Sequence, residues 1–189
     1  MMCDPESIVL EYFQSICQKY EVPSDLTAKW KNIIQDKFNE PHRKYHNFSH
    51  LAQLFTLYNK FESSINNKSS FILAIIFHDI IYNPTSSSNE VDSVQLFKTF
   101  VIELNDSRLE SVQNQVSEMI NCTKSHQISD NCFDSRLESD LKYFLAFDMS
   151  ILSADRSLYT CYCQSIRYEY SHIPKEEYCS KRSQFLKKV

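Results

Sequence analysis

The sequence contains no glycine among its 189 residues, although a soluble protein of this length usually carries about 13. Walker A loops and GxGxxG dinucleotide turns need glycine, because only glycine adopts their positive φ angles and lets the backbone approach the phosphates closely. Tight two-residue β-hairpin turns also depend heavily on glycine. The composition therefore excludes glycine-loop nucleotide binding and disfavours a strand-rich fold.

Other features are missing as well. No run reaches the roughly 18 apolar residues of a membrane span, and the start MMCDPES lacks the basic and apolar parts of a secretory signal. The seven cysteines form no CxxC pair, which fits neither a disulfide framework nor a zinc ribbon. A net charge of −4 supplies no basic face for nucleic acid or anionic membranes. We expect a cytoplasmic protein with free thiols and small-molecule or protein partners, and the sequence is compatible with a homodimer.

Hydrophobic residues make up 42% of the chain, which is enough for a sizeable core. Apolar positions recur at three and four residues, the period of amphipathic helices. Helices are predicted over residues 24–39, 48–61 and 70–82. Further helices are predicted to begin at Asp4, at Ser88 or Asn89, at Ser107, at Asp134 or Ser135, at Asp155 and after Pro174. The sequence thus predicts an all-α fold of eight or nine helices in a single domain, 1–189.

An ionisable pair, His78 and Asp79, lies in the most apolar segment of the chain. Burying two such groups is costly unless they are paired or bind a metal. Candidate partners on other predicted helices complete a set of imidazole and carboxylate ligands: His50, His78, Asp79 and Asp148. These ligand types suit Mn²⁺, Fe, Co²⁺, Ni²⁺ or Zn²⁺ better than Ca²⁺. The alternative is structural, with His78 at a helix end and Asp79 paired to Arg43 or Lys44.

Four short motifs occur in a characteristic order: YHNFSH at 45–50, FHDIIYNP at 77–84, NE at 89–90 and FDMSIL at 147–152. A fifth stretch, IRYEYSH, follows at 166–172. In these motifs the chain resembles the HD superfamily of metal-dependent phosphohydrolases, from about residue 42 to residue 182. The superfamily pattern H…HD…D falls on the four candidate ligands. The resemblance implies a helical HD-domain bundle, one divalent metal ion, Mn²⁺ before Fe, Co, Ni, Zn or Mg, and hydrolysis of a phosphate ester or anhydride.

The resemblance also suggests catalytic residues beside the metal. Asn89 and Glu90 lie where alarmone hydrolases of this superfamily carry an acidic pair, so Glu90 is the candidate to orient or deprotonate the attacking water. A stabilising interaction of Glu90 with the helix dipole is the alternative. His46, four residues before His50, is a candidate second ligand, proton donor or phosphate contact, or a support behind the ligands.

Substrate-binding candidates lie further along the chain. Lys124 and His126 occupy a polar segment similar to a TKxH stretch of the family, and they are candidates to bind phosphate or assist the leaving group, with a plain surface position as the alternative. Arg167 is interpreted first as a structural ion-pair partner and second as a substrate clamp. The closing basic residues are interpreted as a solvated helix end: Lys181, Arg182, Lys187 and Lys188.

The resemblance therefore implies a metal-dependent phosphohydrolase acting on a small phosphorylated metabolite or nucleotide. One alternative is a non-catalytic binding module for such a ligand, because the chain has Ala146 where relatives have an aspartate. A di-iron oxygenase is the other alternative, in which His46 and His126 would be additional iron ligands.

Overall fold

The structure, a computed structural model, describes residues 4–128 and 134–187, and this part of the chain contains helices but no strand. This confirms the all-α prediction. The described helices are α1 Pro5–Lys19, α2 Ser24–Phe38, α3 Phe48–Phe61, α4 Lys68–Phe77, α5 Asn89–Leu104, α6 Arg108–Thr123, α7 Ser135–Asp148, α8 Arg156–Glu169 and α9 Lys175–Leu186, with 3-10 helices at Glu62–Ser64 and Met149–Ser153. Cys3, Cys132 and Lys188 lie outside the described residues.

Several helices begin at the residues that the sequence indicates. The carboxylate of Asp4 accepts a hydrogen bond from the Ser7 amide at the start of α1. Asp134 and Asp155 accept amide hydrogen bonds in the same way at the starts of α7 and α8. Each side chain satisfies a backbone donor that has no partner within the helix, which stabilises a helix by about 1 kcal/mol.

Helix α4 is the centre of the fold. Every residue from Ser69 to Phe77 is buried, and α4 packs against α1, α3, α5, α6 and α7. The buried apolar side chains that pack together around it, between Val9 and Phe147, are called the main core. With ten residues, α4 is too short to span a bilayer, and none of the described helices has the length and apolar character of a membrane span.

A second and smaller group of buried side chains lies under the last two helices. It consists of Ile151, Tyr162 and Ile166 and is called the C-terminal cluster. Helix α8 contributes two of these residues, whereas none of the described residues of α9 is fully buried. The last helix therefore rests on a few side-chain contacts rather than on a core of its own.

Without glycine, other residues take the left-handed backbone conformation after helices. Glu21, Asn105 and His126 follow α1, α5 and α6 with φ of 53°, 49° and 54°. Asparagine adopts this conformation readily, whereas other residues have a cost of roughly 1–2 kcal/mol. A histidine in this conformation is unusual, and His126 lies at the candidate site.

Candidate metal centre and active site

Three helix ends bring the central side chains together. His50 lies in the first turn of α3, His78 directly follows α4, and Asp148 is the last residue of α7. The predicted helix over 70–82 is wrong at its end, because α4 stops at Phe77.

Hydrogen bonds from other parts of the chain explain where α4 ends. The buried guanidinium of Arg43 donates to the carbonyl oxygens of Asp79 and Ile80, at 2.6 and 3.0 Å. The Ser93 hydroxyl accepts from the amide of Ile81. Arg43 thus binds the backbone at Asp79 and not its carboxylate, which differs from the pairing considered in the sequence. The turn that results lets the adjacent side chains of His78 and Asp79 converge.

The ring nitrogens and carboxylate oxygens of this group lie close together. The Nε2 atoms of His50 and His78 are 3.3 Å apart. The Oδ1 atom of Asp148 lies 3.2 Å from Nε2 of His50 and 3.7 Å from Nε2 of His78. The Oδ2 atom of Asp79 lies 3.1 Å from Nε2 of His78 and 3.7 Å from Nε2 of His50.

The imidazoles are buried and oriented. His50 and His78 are each 2% exposed. The Nδ1–H of His78 donates to the carbonyl oxygen of Ile75 at 3.0 Å, which directs the lone pair of Nε2 into the cluster. The Nδ1 atom of His50 is buried and has no hydrogen-bond partner among the described residues. Its ring contacts that of Tyr45, and its Nε2 atom faces Asp148.

The charges of the metal-free cluster stabilise one another. Burial opposes the charged form of His78, but the nearby carboxylates of Asp79 and Asp148 outweigh it and raise the pKa of His78 well above its usual value. Burial likewise opposes charge on both aspartates, and the surrounding imidazoles lower the pKa of each. The imidazoles thus favour the charged form of both carboxylates, and a divalent cation at this place would favour it in the same way.

The separations fit a metal ion. Two ligand atoms at roughly 2.1 Å from one metal lie about 3.0 Å apart at a right angle and about 3.4 Å apart at the tetrahedral angle. The atoms of His50, His78 and Asp148 lie within 4.8 Å of one another and can hold a metal ion. Asp79, the fourth predicted ligand, lies beside this trio. Two imidazoles with carboxylates suit several transition metals.

A cavity of about 350 Å³ opens onto the cluster, and Asp79 and Asp148 form part of its wall. This volume suits a small metabolite. Five of the predicted catalytic or substrate-binding residues line the same cavity: His46, Asn89, Glu90, Lys124 and His126. The fold therefore gathers residues from distant parts of the sequence around the possible metal position.

His46 is held by Glu169, a residue of the IRYEYSH stretch. Its Nδ1 atom lies 2.7 Å from Oε2 of Glu169, while Oε1 accepts the amides of Lys44, Tyr45 and His46 itself. Burial opposes ionisation of Glu169, but the bond from His46 and the other donors outweigh it and lower the pKa of Glu169 to about 2. His46 thus faces the cavity with one ring nitrogen fixed by a buried carboxylate.

The neighbouring residues Asn89 and Glu90 have different surroundings. The side-chain amide of Asn89 accepts from the Asn83 amide and donates to the Asn83 carbonyl, each at 2.9 Å. Asn89 therefore fixes the loop before α5. Glu90 lines the cavity in the first turn of that helix, and its carboxylate makes no hydrogen bond with the described residues.

Lys124 and His126 both face the cavity. The ammonium group of Lys124 donates to the carbonyl oxygen of Ser87 at 3.0 Å. The Nε2 atom of His126 lies 3.2 Å from Oδ2 of Asp148, on the carboxylate oxygen that does not face His50. His126 is therefore placed next to a candidate metal ligand, closer to the centre than the sequence indicated.

Arg167 lies outside the cavity lining. Its guanidinium donates to the carbonyl oxygens of Tyr170 and Ile173 at 2.6 and 3.0 Å, and it stacks over the ring of Tyr178. It forms no ion pair with the described carboxylates, since Glu169 is bound to His46. Arg167 closes the turn between α8 and α9, which is a structural role of a different kind from the predicted one.

The sequence interpretation missed two groups of cavity residues. Tyrosines from four segments of the chain line the cavity: Tyr45, Tyr82, Tyr162, Tyr170 and Tyr178. Lys181 and Arg182, interpreted as a solvated helix end, also line it. The signal for the second group was the spacing of Tyr178, Lys181, Arg182 and Phe185, which places all four on one face of a helix.

Neither the known family models nor the curated proteins nor the solved structures include a match to this chain.

Proposed function

We propose that the protein is a metal-dependent phosphohydrolase of the HD superfamily that acts on a small phosphorylated metabolite or nucleotide. The observation that carries the proposal is the buried group of His50, His78 and Asp148 at the wall of a cavity that also contains cationic side chains. Mixed imidazole and carboxylate ligands favour a transition metal, and Mn²⁺ is the first candidate.

His50, His78 and Asp148 would hold the metal, with Asp79 beside them. A divalent metal in this position supplies Lewis acidity towards a phosphoryl oxygen and makes water more acidic. Lys124, which also lines the cavity, would neutralise charge on the phosphoryl oxygens.

Two side chains are placed to move protons. Glu90 accepts the proton of the attacking water, since its carboxylate lies on the cavity wall with no partner among the described residues. His46 donates a proton to the leaving group, because Glu169 fixes its ring by binding Nδ1. Asn89 supports Glu90 by holding the loop before α5.

The test combines metal content with phosphate release. Protein purified without chelators is analysed for bound metal, and phosphate release from nucleotides and sugar phosphates is measured with added Mn²⁺. We expect about one metal per chain, and we expect Asp148→Asn to lose both the metal and the activity. Glu110→Gln, which removes an exposed carboxylate on α6, is the matched control and should behave as wild type. Retained activity in Asp148→Asn, or no metal uptake by wild type, would contradict the proposal.

One observation favours a second candidate. Asp148 presents Oδ1 to His50 and Oδ2 to His126, so its carboxylate faces imidazoles on two sides. A bridging carboxylate between two metals has this arrangement, as in two-metal hydrolases or di-iron oxygenases. Two metals per chain and iron-dependent oxygen uptake would favour the oxygenase. The departure at Ala146, which motivated the non-catalytic alternative, is an exposed position outside the cavity lining.

A further inference from the structure

One face of α9 forms a wall of the cavity. Tyr178, Lys181, Arg182 and Phe185 follow the i, i+3, i+4, i+7 spacing of a single helix face, and all four line the cavity. None of the described residues of α9 is fully buried. The helix therefore presents these side chains to the cavity without placing them in a core.

The guanidinium of Arg182 is fixed in position. It donates to the hydroxyl of Tyr162, and its carbon lies 5.3 Å from the ring centre of Tyr162 and 4.8 Å from that of Phe185. Two aromatic rings and one hydrogen bond thus hold a planar cation at the cavity wall.

Arg182 differs from its neighbour in its charge balance. The ammonium group of Lys181 pairs with Glu177 at 2.7 Å, whereas Arg182 forms no ion pair with any carboxylate of the described residues. Among the described residues, its side-chain hydrogen-bond partner is the neutral hydroxyl of Tyr162. A partly buried guanidinium with uncompensated charge and further N–H donors suits an anionic ligand.

Contacts connect Arg182 with the candidate metal centre. Tyr162 packs against Tyr45 with ring centres 4.6 Å apart, and Tyr45 packs against His50 with ring centres 4.9 Å apart. The electrostatic environment of Tyr162 also links the two groups. Burial raises the pKa of the Tyr162 hydroxyl, the positive charge of Arg182 lowers it, and the negative charge of Asp148 raises it. The charges of Arg182 and Asp148 therefore both act on the hydroxyl of Tyr162, and all three residues line the cavity.

We propose that Arg182 binds the phosphoryl group of the substrate from the α9 side of the cavity. Its forked donors match the oxygens of a phosphate, and the candidate ligands Asp79 and Asp148 line the same cavity. This role rests on the proposed function, and it makes α9 a part of the substrate site rather than a solvated end.

The test measures binding of inorganic phosphate by calorimetry, with and without Mn²⁺, to wild type, Arg182→Gln and Arg182→Lys. Lys175→Gln removes a positive charge from the same helix outside the cavity lining and is the matched control. We expect Arg182→Gln to weaken phosphate binding by about 10- to 100-fold. Arg182→Lys keeps the charge without the fork and should fall between wild type and Arg182→Gln. Metal content should be unchanged in all three variants.

Phosphate binding by Arg182→Gln at the wild-type level would overturn the inference, as would an equal loss in Lys175→Gln or the absence of saturable phosphate binding by wild type. If Arg182→Gln does not fold, Arg182→Lys is used instead, and phosphate binding by Arg182→Lys at the wild-type level would overturn the inference. The proposed function fails separately: Arg182-dependent phosphate binding without metal uptake or phosphate release would overturn the hydrolase and leave the anion site standing.

Discussion

The candidate metal ligands and the helix that carries Arg182 differ in how firmly the fold holds them. His50 and His78 belong to the tightly packed helices around α4 and are each 2% exposed. Arg182 lies on α9, where no described residue is fully buried. A metal centre needs ligands held within a fraction of an ångström, whereas side chains that contact substrate can adjust on binding. The fold thus combines a tightly packed region that carries the candidate metal ligands with a less buried helix that carries Arg182.

The largest expected effect is on stability, when the same Phe→Ala substitution is made in the main core and on α9. Phe77 is fully buried in the main core and packs on Trp30, Phe97 and Phe100, so Phe77→Ala should lower the free energy of unfolding by about 3–5 kcal/mol. Phe185→Ala, on α9, should cost about 1 kcal/mol or less. Urea denaturation measures both. Equal losses would mean that α9 is part of the main core.

Glu169 joins the two regions, because its carboxylate on α8 binds His46 and three amides before α3. Its pKa is lowered from the usual 4.5 to about 2, so its stabilisation is present above pH 4.5 and is lost as the pH falls towards 2. Glu169→Gln should lower stability at neutral pH by on the order of 2–3 kcal/mol. The difference in Tm from wild type should shrink between pH 4.5 and pH 2. A difference that is independent of pH would contradict this.

His126 connects the metal side with α9, since it contacts Asp148 and its ring packs against Phe185. His126→Asn keeps a residue that tolerates the left-handed backbone but removes the imidazole. Mn²⁺ affinity, measured by calorimetry, should fall about 10- to 100-fold. His172→Asn, an exposed histidine outside the cavity lining, is the control. Unchanged Mn²⁺ affinity in His126→Asn would show that His126 does not contribute to metal binding.

The smallest expected effect compares one methyl group in each region. Ile76→Val in the main core and Ile166→Val in the C-terminal cluster delete the same atoms. We expect the free energy of unfolding to fall by about 1.5 kcal/mol for Ile76→Val and by about 0.5 kcal/mol for Ile166→Val. The difference arises because less tightly packed neighbours can move into the space that the deleted methyl group leaves. Chemical denaturation resolves this difference, and the reverse order would remove the distinction between the regions.

The sequence predicted the helices better than their ends. Asp4, Asp134 and Asp155 cap helices as expected, because a cap depends on residues within three positions of one another. The end of α4 was predicted five residues too late. Its position is fixed by Arg43, which lies 36 residues before Asp79. No local pattern carries that information.

The candidate site shows the same division. His50, His78, Asp79 and Asp148 were selected because ionisable residues interrupt apolar helical patterns, a cost that sequence alone makes visible. Arg167 was interpreted first as a structural ion-pair partner, but it binds backbone carbonyls instead of a carboxylate. Arg182 was interpreted as part of a solvated helix end, but it lines the cavity. Only the path of the chain after α8 directs one guanidinium to backbone carbonyls and the other to the cavity.

By itself, then, the sequence determined the helical class, most helix starts and the identity of the possible metal ligands. These follow from local backbone preferences and from the free-energy cost of burying charge. The tertiary structure decided the convergence of His78 with Asp79, the contact of His126 with Asp148 and the position of Arg182. Those features depend on contacts between residues far apart in the chain, whose distances are set only when the helices pack.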